Sequence, residues 1–169
     1  ETELTLHLGR LLRVVLNDES DRVRALTLTG LWEETDEALI GPIIDMLHND
    51  PSEEVRAAAA ETLGVYVLAG ELDEIDPAQA MRVEEALLSV LHSDAEPVYV
   101  QRRALESIAY SGEMGVRQLI DDGYYSPDEE MRVGALVAMA RSADIHWRDA
   151  AQAELNSPED RLVIVVTEP

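Results

Sequence analysis

Apolar residues recur along this chain at helical spacing, and one stretch states the pattern most fully. In residues 50–64, DPSEEVRAAAAETLG, the residues Val55, Ala58, Ala59, Thr62 and Leu63 fall at i, i+3, i+4, i+7 and i+8, one buried stripe of a helix. Asp50 and Pro51 read as its start signal, because proline in a first turn forfeits no hydrogen bond. The same pattern returns before and after. Displaced by 32 residues toward the N-terminus, Asp18, Val23, Arg24, Thr27 and Leu31 stand for Asp50, Val55, Arg56, Ala59 and Leu63. Displaced by 76 toward the C-terminus, Ser126, Met131, Arg132, Ala135 and Met139 take those places. A third copy, displaced by 45, gives Val100, Gln101, Ala104 and Ile108, with Asp94 one position early. Self-similarity at such intervals marks an array of one repeated supersecondary unit.

The unit reads as a pair of helices. The first pair is predicted over 4–16, with Leu8, Leu11, Leu12 and Val15 in helical register, and over about 20–32. The second takes 35–48, with Thr35 as cap, Gly41-Pro42 as a kink, and Leu39, Ile43, Met46 and Leu47 inward; the template helix follows over 51–67. A polar, acidic loop is predicted over 68–75, where the repeat interval widens. Asp76-Pro77 restarts a helix to 92 with Met81, Leu87, Leu88 and Leu91 inside, and its partner spans about 97–110. After a break at Ser111-Gly112, helices are predicted over 113–122 and 127–141. A last first helix is read over 145–155. Ser157-Pro158 then opens an incomplete second one that ends in the β-branched run 162–166. The repeats thus fall at approximately 1–33, 34–67, 76–111, 112–142 and 143–166 of a single domain, 1–169. The chain begins at Glu1 already in an apolar pattern and ends apolar, so a piece of a longer protein is expected.

Asp18 with Arg24 and Asp50 with Arg56 keep one six-residue interval, Ser126 with Arg132 keeps it with a weaker acceptor, and Pro42 lies eight residues before Asp50. In these features the chain resembles the HEAT repeat, a helix pair whose turn carries an Asp and whose second helix carries Val-Arg six residues later. The resemblance implies an all-α fold, an α-solenoid twisting as a right-handed superhelix of about four to five helix pairs. It implies a ladder in which Arg24, Arg56 and Arg132 pair with Asp18, Asp50 and the Ser126 hydroxyl. It also implies that second helices line a concave face, where a non-catalytic scaffold would bind a partner protein or peptide. Two other roles fit the repeat type: a phycobilisome-lyase-like factor, and a structural spacer between neighbouring domains.

Charge narrows the partner. Thirteen basic residues, all Arg, face 35 acidic ones for a formal charge of −22. No window clusters cations free of acids, so nucleic acid is excluded as a partner. Part of the acidity serves helix starts, since Glu53, Glu54, Asp128, Glu129 and Glu130 lie where the helix dipole favours anions. The remainder suits a basic or amphipathic partner, and its self-repulsion is expected to ease as salt screens it. No run of about 18 apolar residues is present, so no membrane span is expected. A cytoplasmic location is expected.

The residues that would carry catalysis are absent from the sequence. Some HEAT-like hydroxylases hold di-iron with repeated His-Glu pairs, whereas His7, His48, His92 and His146 here precede Leu8, Asn49, Ser93 and Trp147. His48 and His92 read as helix C-terminal caps. With neither Cys nor Lys the chain has no thiolate nucleophile, Schiff base or phosphate-loop lysine, so no catalytic residue, metal or cofactor is assigned. The candidate contact positions lie opposite the buried stripe. They are Glu54, Ala57, Glu61 and Val65 in the template, Arg22, Ala25, Thr29 and Glu33 in the first repeat, and Glu130, Val133, Val137 and Arg141 in the fourth. The third repeat offers Tyr99, Arg102, Glu106 and Tyr110. The set Tyr99, Arg102, Glu106, Tyr110, Val133 and Val137 is the candidate binding surface, because Tyr and Arg suit interface centres.

Overall fold

A computed structural model describes residues 14–31 and 35–155. Its eight described α-helices are α1 (Asp21–Thr29), α2 (Ile40–Asn49), α3 (Glu53–Glu71), α4 (Pro77–Leu91), α5 (Val98–Ile108), α6 (Met114–Tyr124), α7 (Glu129–Ser142) and α8 (Arg148–Leu155). Single 3₁₀ turns, Glu37–Leu39 and Ile145–Trp147, lead into α2 and α8. The described chain contains no strand. Helices α1, α3, α5 and α7 pack side by side in one layer, and α2, α4 and α6 cover α3, α5 and α7 from the other. This is an α-solenoid.

Short polar side chains start the helices. Asp18, Asp36, Asp50, Asp76 and Asp144 each accept the N–H two residues on, at 2.7–2.9 Å, closing a tight turn before a helix. The Ser126 hydroxyl does the same for Asp128 at 3.1 Å. These turns displace the helix starts. Ser52 and Asp128 are the N-caps of α3 and α7, so Pro51 and Pro127 stand in the turns instead of inside the helices. Similarly Asp36 caps the 3₁₀ turn where Thr35 was expected, and Gly41-Pro42 falls within the first turn of α2. A proline there loses no intrahelical bond, and the irregularity sits in the preceding 3₁₀ turn.

The central helix departs most from expectation. α3 runs on through 19 residues to Glu71, so the acidic loop predicted over 68–75 shrinks to the few residues before Asp76. It continues because its sides stay covered: Tyr66, Val67 and Ala69 are buried, and the Tyr66 hydroxyl donates to the Asp36 carbonyl at 3.2 Å. Gly70 lets α4 approach, since a Cβ there would lie 2.6 Å from that of Ala80. The end is a Schellman closure. Glu74 N–H donates to the Ala69 carbonyl at 2.8 Å and Asp73 N–H to that of Gly70 at 3.1 Å, with Asp73 left-handed at φ 57°.

The core is continuous from Leu16 and Leu28 through Ile43, Val55, Leu63, Leu87, Leu105 and Ile120 to Met139 and Trp147. Met81, expected inside, is instead exposed, because α4 turns Val83, Ala86, Leu87 and Val90 toward its neighbours. The predicted helix over 4–16 lies outside the described residues except at its end, where Val14 and Val15 are helical and Leu16 is buried. The run 162–166 also lies outside the described residues.

Candidate interaction surface

The recurring arginines work across repeats. Arg24 donates from Nη1 to the Asp18 carbonyl at 2.8 Å, while its Nε and Nη2 hold both carboxylate oxygens of Asp50, in the next repeat, at 2.8 Å. Arg56 reaches the Asp50 carbonyl at 2.9 Å and the Glu96 carboxylate, one repeat further, at 3.1 Å. Arg132 reaches the Ser126 and Pro127 carbonyls, each at 3.0 Å. The expected side-chain pairs Asp18–Arg24, Asp50–Arg56 and Ser126–Arg132 are therefore corrected. Within a repeat the six-residue interval joins guanidinium to carbonyl, because the side-chain oxygen is already engaged by the turn N–H. Burial pushes the Asp50 carboxyl up, but the Arg24 hydrogen bonds, the Ser52 N–H and the charges of Arg24 and Arg56 outweigh it. Asp50 stays below the ordinary carboxylate range. Arg102–Glu130 and Arg117–Asp144, both at 2.6 Å, bridge the next two junctions.

The α1–α3–α5–α7 layer holds a groove in two adjoining parts of about 500 Å³ each, which share Thr29 and Glu61. One part is polar, with Arg22, Glu54, Tyr99 and Arg103 on its walls. The other is apolar, with Leu28, Val65 and Leu68 leading to Tyr110 and Arg141. α3 forms the floor. Its groove positions are Glu54, Ala58, Glu61, Val65 and Leu68, so Ala58 lines the groove and Ala57, expected there, is 1% exposed. One residue rotates a helix by about 100°, enough to move Ala57 into the layer.

The third repeat keeps its tyrosines where the register put them and exchanges Arg102 for Arg103. Tyr99 lines the polar part and is 41% exposed, and Tyr110 lines the apolar part. Arg103, outside the candidate set, stands in the groove with its guanidinium 5.7 Å from the Tyr99 ring. Arg102 is half-buried, and Val133 and Val137 are half-buried on α7 outside both parts of the groove. Glu106 is the clearest correction, being 1% exposed and out of a partner's reach. Its carboxylate accepts from Arg102 Nε at 2.8 Å and Arg103 Nη1 at 2.9 Å, as a buried carboxylate requires. Arg141 closes the cluster, donating to the Glu106 carbonyl at 3.0 Å with its guanidinium 5.6 Å from the Tyr110 ring. Burial disfavours the charges on Arg102 and Arg103, but Glu106 and the acids beside it outweigh that and raise both above the usual arginine value. Glu106 is thus a hub that fixes the groove's cations. Two Arg beside one Glu on a single helix turn is the sequence signal that could have found it.

Among the described residues no group of three or more His, Cys, Asp or Glu could hold a metal ion, and no helix is long and apolar enough to cross a membrane. His48 is exposed in the last turn of α2, and His92 ends α4 beside an outer crevice. The family model for HEAT repeats matches residues 10–82, which take in α1, α2, α3 and the start of α4. No curated protein matches the chain.

Proposed function

We propose that this chain, whose residues 10–82 match the HEAT-repeat family model, is a non-catalytic scaffold that binds a partner protein or peptide in its groove. HEAT repeats are commonly protein-interaction scaffolds. The observation that supports the reading most is the groove itself, a fixed helical floor with an apolar part and a polar part set side by side. Tyr99, Tyr110 and Arg103 stand in it as the rigid aromatic and guanidinium groups that dominate interface energetics. The chain's charge of −22 makes the partner's contacting segment basic or amphipathic.

The test is an affinity pull-down from native lysate beside a Tyr99→Arg, Tyr110→Arg double variant whose melting matches the native chain. A protein retained by the native chain and lost by the variant is the expected result. Equal retention by both, or no retention at all, would overturn the reading in favour of a structural spacer.

A further inference from the structure

The groove's two halves carry different chemistry, and α3 orders them along one line. Glu54, Ala58, Glu61, Val65 and Leu68 succeed one another at intervals of three or four residues on its groove face. Glu54 and Glu61 are seven residues apart, about 10.5 Å along the helix axis, and Val65 lies about 6 Å beyond Glu61. The anionic stretch thus precedes the apolar one.

The cations in this groove are mostly occupied. Arg103 is bonded to Glu106 and stacked on Tyr99, and Arg141 is bonded to the Glu106 carbonyl and stacked on Tyr110. Arg22, on the α1 side, is the groove guanidinium without a bonded partner among the described residues. By contrast Glu54 makes no side-chain hydrogen bond or ion pair among the described residues, and Glu61 meets Arg103 only at 3.9 Å. Both carboxylates are exposed, within a chain of charge −22.

Resting on the groove reading above, we infer that the occupant is a basic amphipathic segment of another protein bound in one direction. Its cationic side chains sit at Glu54 and Glu61. Its apolar side chains lie over Val65, Leu68 and Tyr110. In a helical segment, two cations seven residues apart match the two carboxylates.

A fluorescein-labelled synthetic helix of Leu and Lys, with Lys at i and i+7 on its polar face, tests this by fluorescence anisotropy at physiological salt. The comparators are a Leu and Glu counterpart, a Glu54→Gln, Glu61→Gln variant, a Val65→Asp variant, and a Glu84→Gln, Glu113→Gln variant. The last makes the same charge change at the outer crevice between α4 and α6. The expected result is binding of the Lys peptide that weakens roughly tenfold in the groove glutamine variant and less than about twofold in the outer one. Equal weakening by both pairs would reduce the effect to net charge and overturn the inference. Preference for the Glu peptide, or loss only with Val65→Asp, would overturn the basic occupant while leaving the groove in use. Binding indifferent to all groove variants, or no peptide binding together with a failed pull-down, would overturn both readings. No binding of the Lys peptide beside a successful pull-down would overturn the inference alone.

Discussion

At the scale of single residues, strain and unpaired groups mark where the chain departs from an ideal repeat. Asp73 holds φ 57° at the left-handed position that ends α3, a place where glycine is the common occupant because it has no Cβ to clash. Asp73→Gly is expected to raise stability by about 0.5–1 kcal/mol, read as a higher urea midpoint at unchanged m-value. A lower midpoint would show that the Asp73 side chain makes a stabilising contact in place. Ser107 is the complementary case. It is fully buried, its hydroxyl has no hydrogen-bond partner among the described residues, and its Oγ would lie 3.0 Å from a Cβ on Gly64, so the two residues let α3 and α5 touch. At this scale the sequence was partly legible. Asp50-Pro51 and Asp76-Pro77 announced themselves as start signals, but not that Asp18, Asp50 and Ser126 close a turn two residues ahead of the caps Ser20, Ser52 and Asp128. Glu106 looked like a surface residue because periodicity records spacing and not the guanidinium groups that let a carboxylate be buried.

At the scale of elements, each successive junction between helix pairs is tied by one arginine reaching forward to an acid: Arg24 to Asp50, Arg56 to Glu96, Arg102 to Glu130, and Arg117 to Asp144. The first is the best shielded, with side-chain exposures of 12% and 7%. Arg24→Ala is expected to cost about 1–2 kcal/mol, more than a surface pair, because Asp50 stays partly buried without its bidentate partner. The pH dependence follows from the depressed Asp50 carboxyl. Below about pH 4 the unfolded chain takes up that proton before the folded one, so the stabilisation is present above that pH and is lost as pH falls. The stability gap between the native chain and Asp50→Asn, from urea unfolding at pH 7 and pH 3, should therefore narrow at the lower pH; a constant gap would refute the assignment. Helix existence and order were readable because apolar residues repeat at helical spacing over every described pair. The reach of α3 to Glu71 was not, since Leu68–Glu71 becomes helical through contact with α4 and the turn before α2, which lie elsewhere in the sequence.

At the scale of the whole molecule, one layer of helices presents a groove and the other covers its back, so the proposed scaffold would divide binding and support between second and first helices. The repeated pattern made that division legible. It placed Glu54, Glu61, Val65, Tyr99 and Tyr110 on the groove side but put Ala57 for Ala58 and Arg102 for Arg103. The division can be read directly by hydroxyl-radical footprinting of the chain with and without the protein it retains. Tyr99, Leu26 and Leu68 report the groove, and the exposed Met81 and Met114 report the outer helices. The account predicts slowed oxidation at Tyr99, Leu26 and Leu68 with Met81 and Met114 unchanged. Protection at the two methionines with the groove residues still oxidised at the free rate would contradict it.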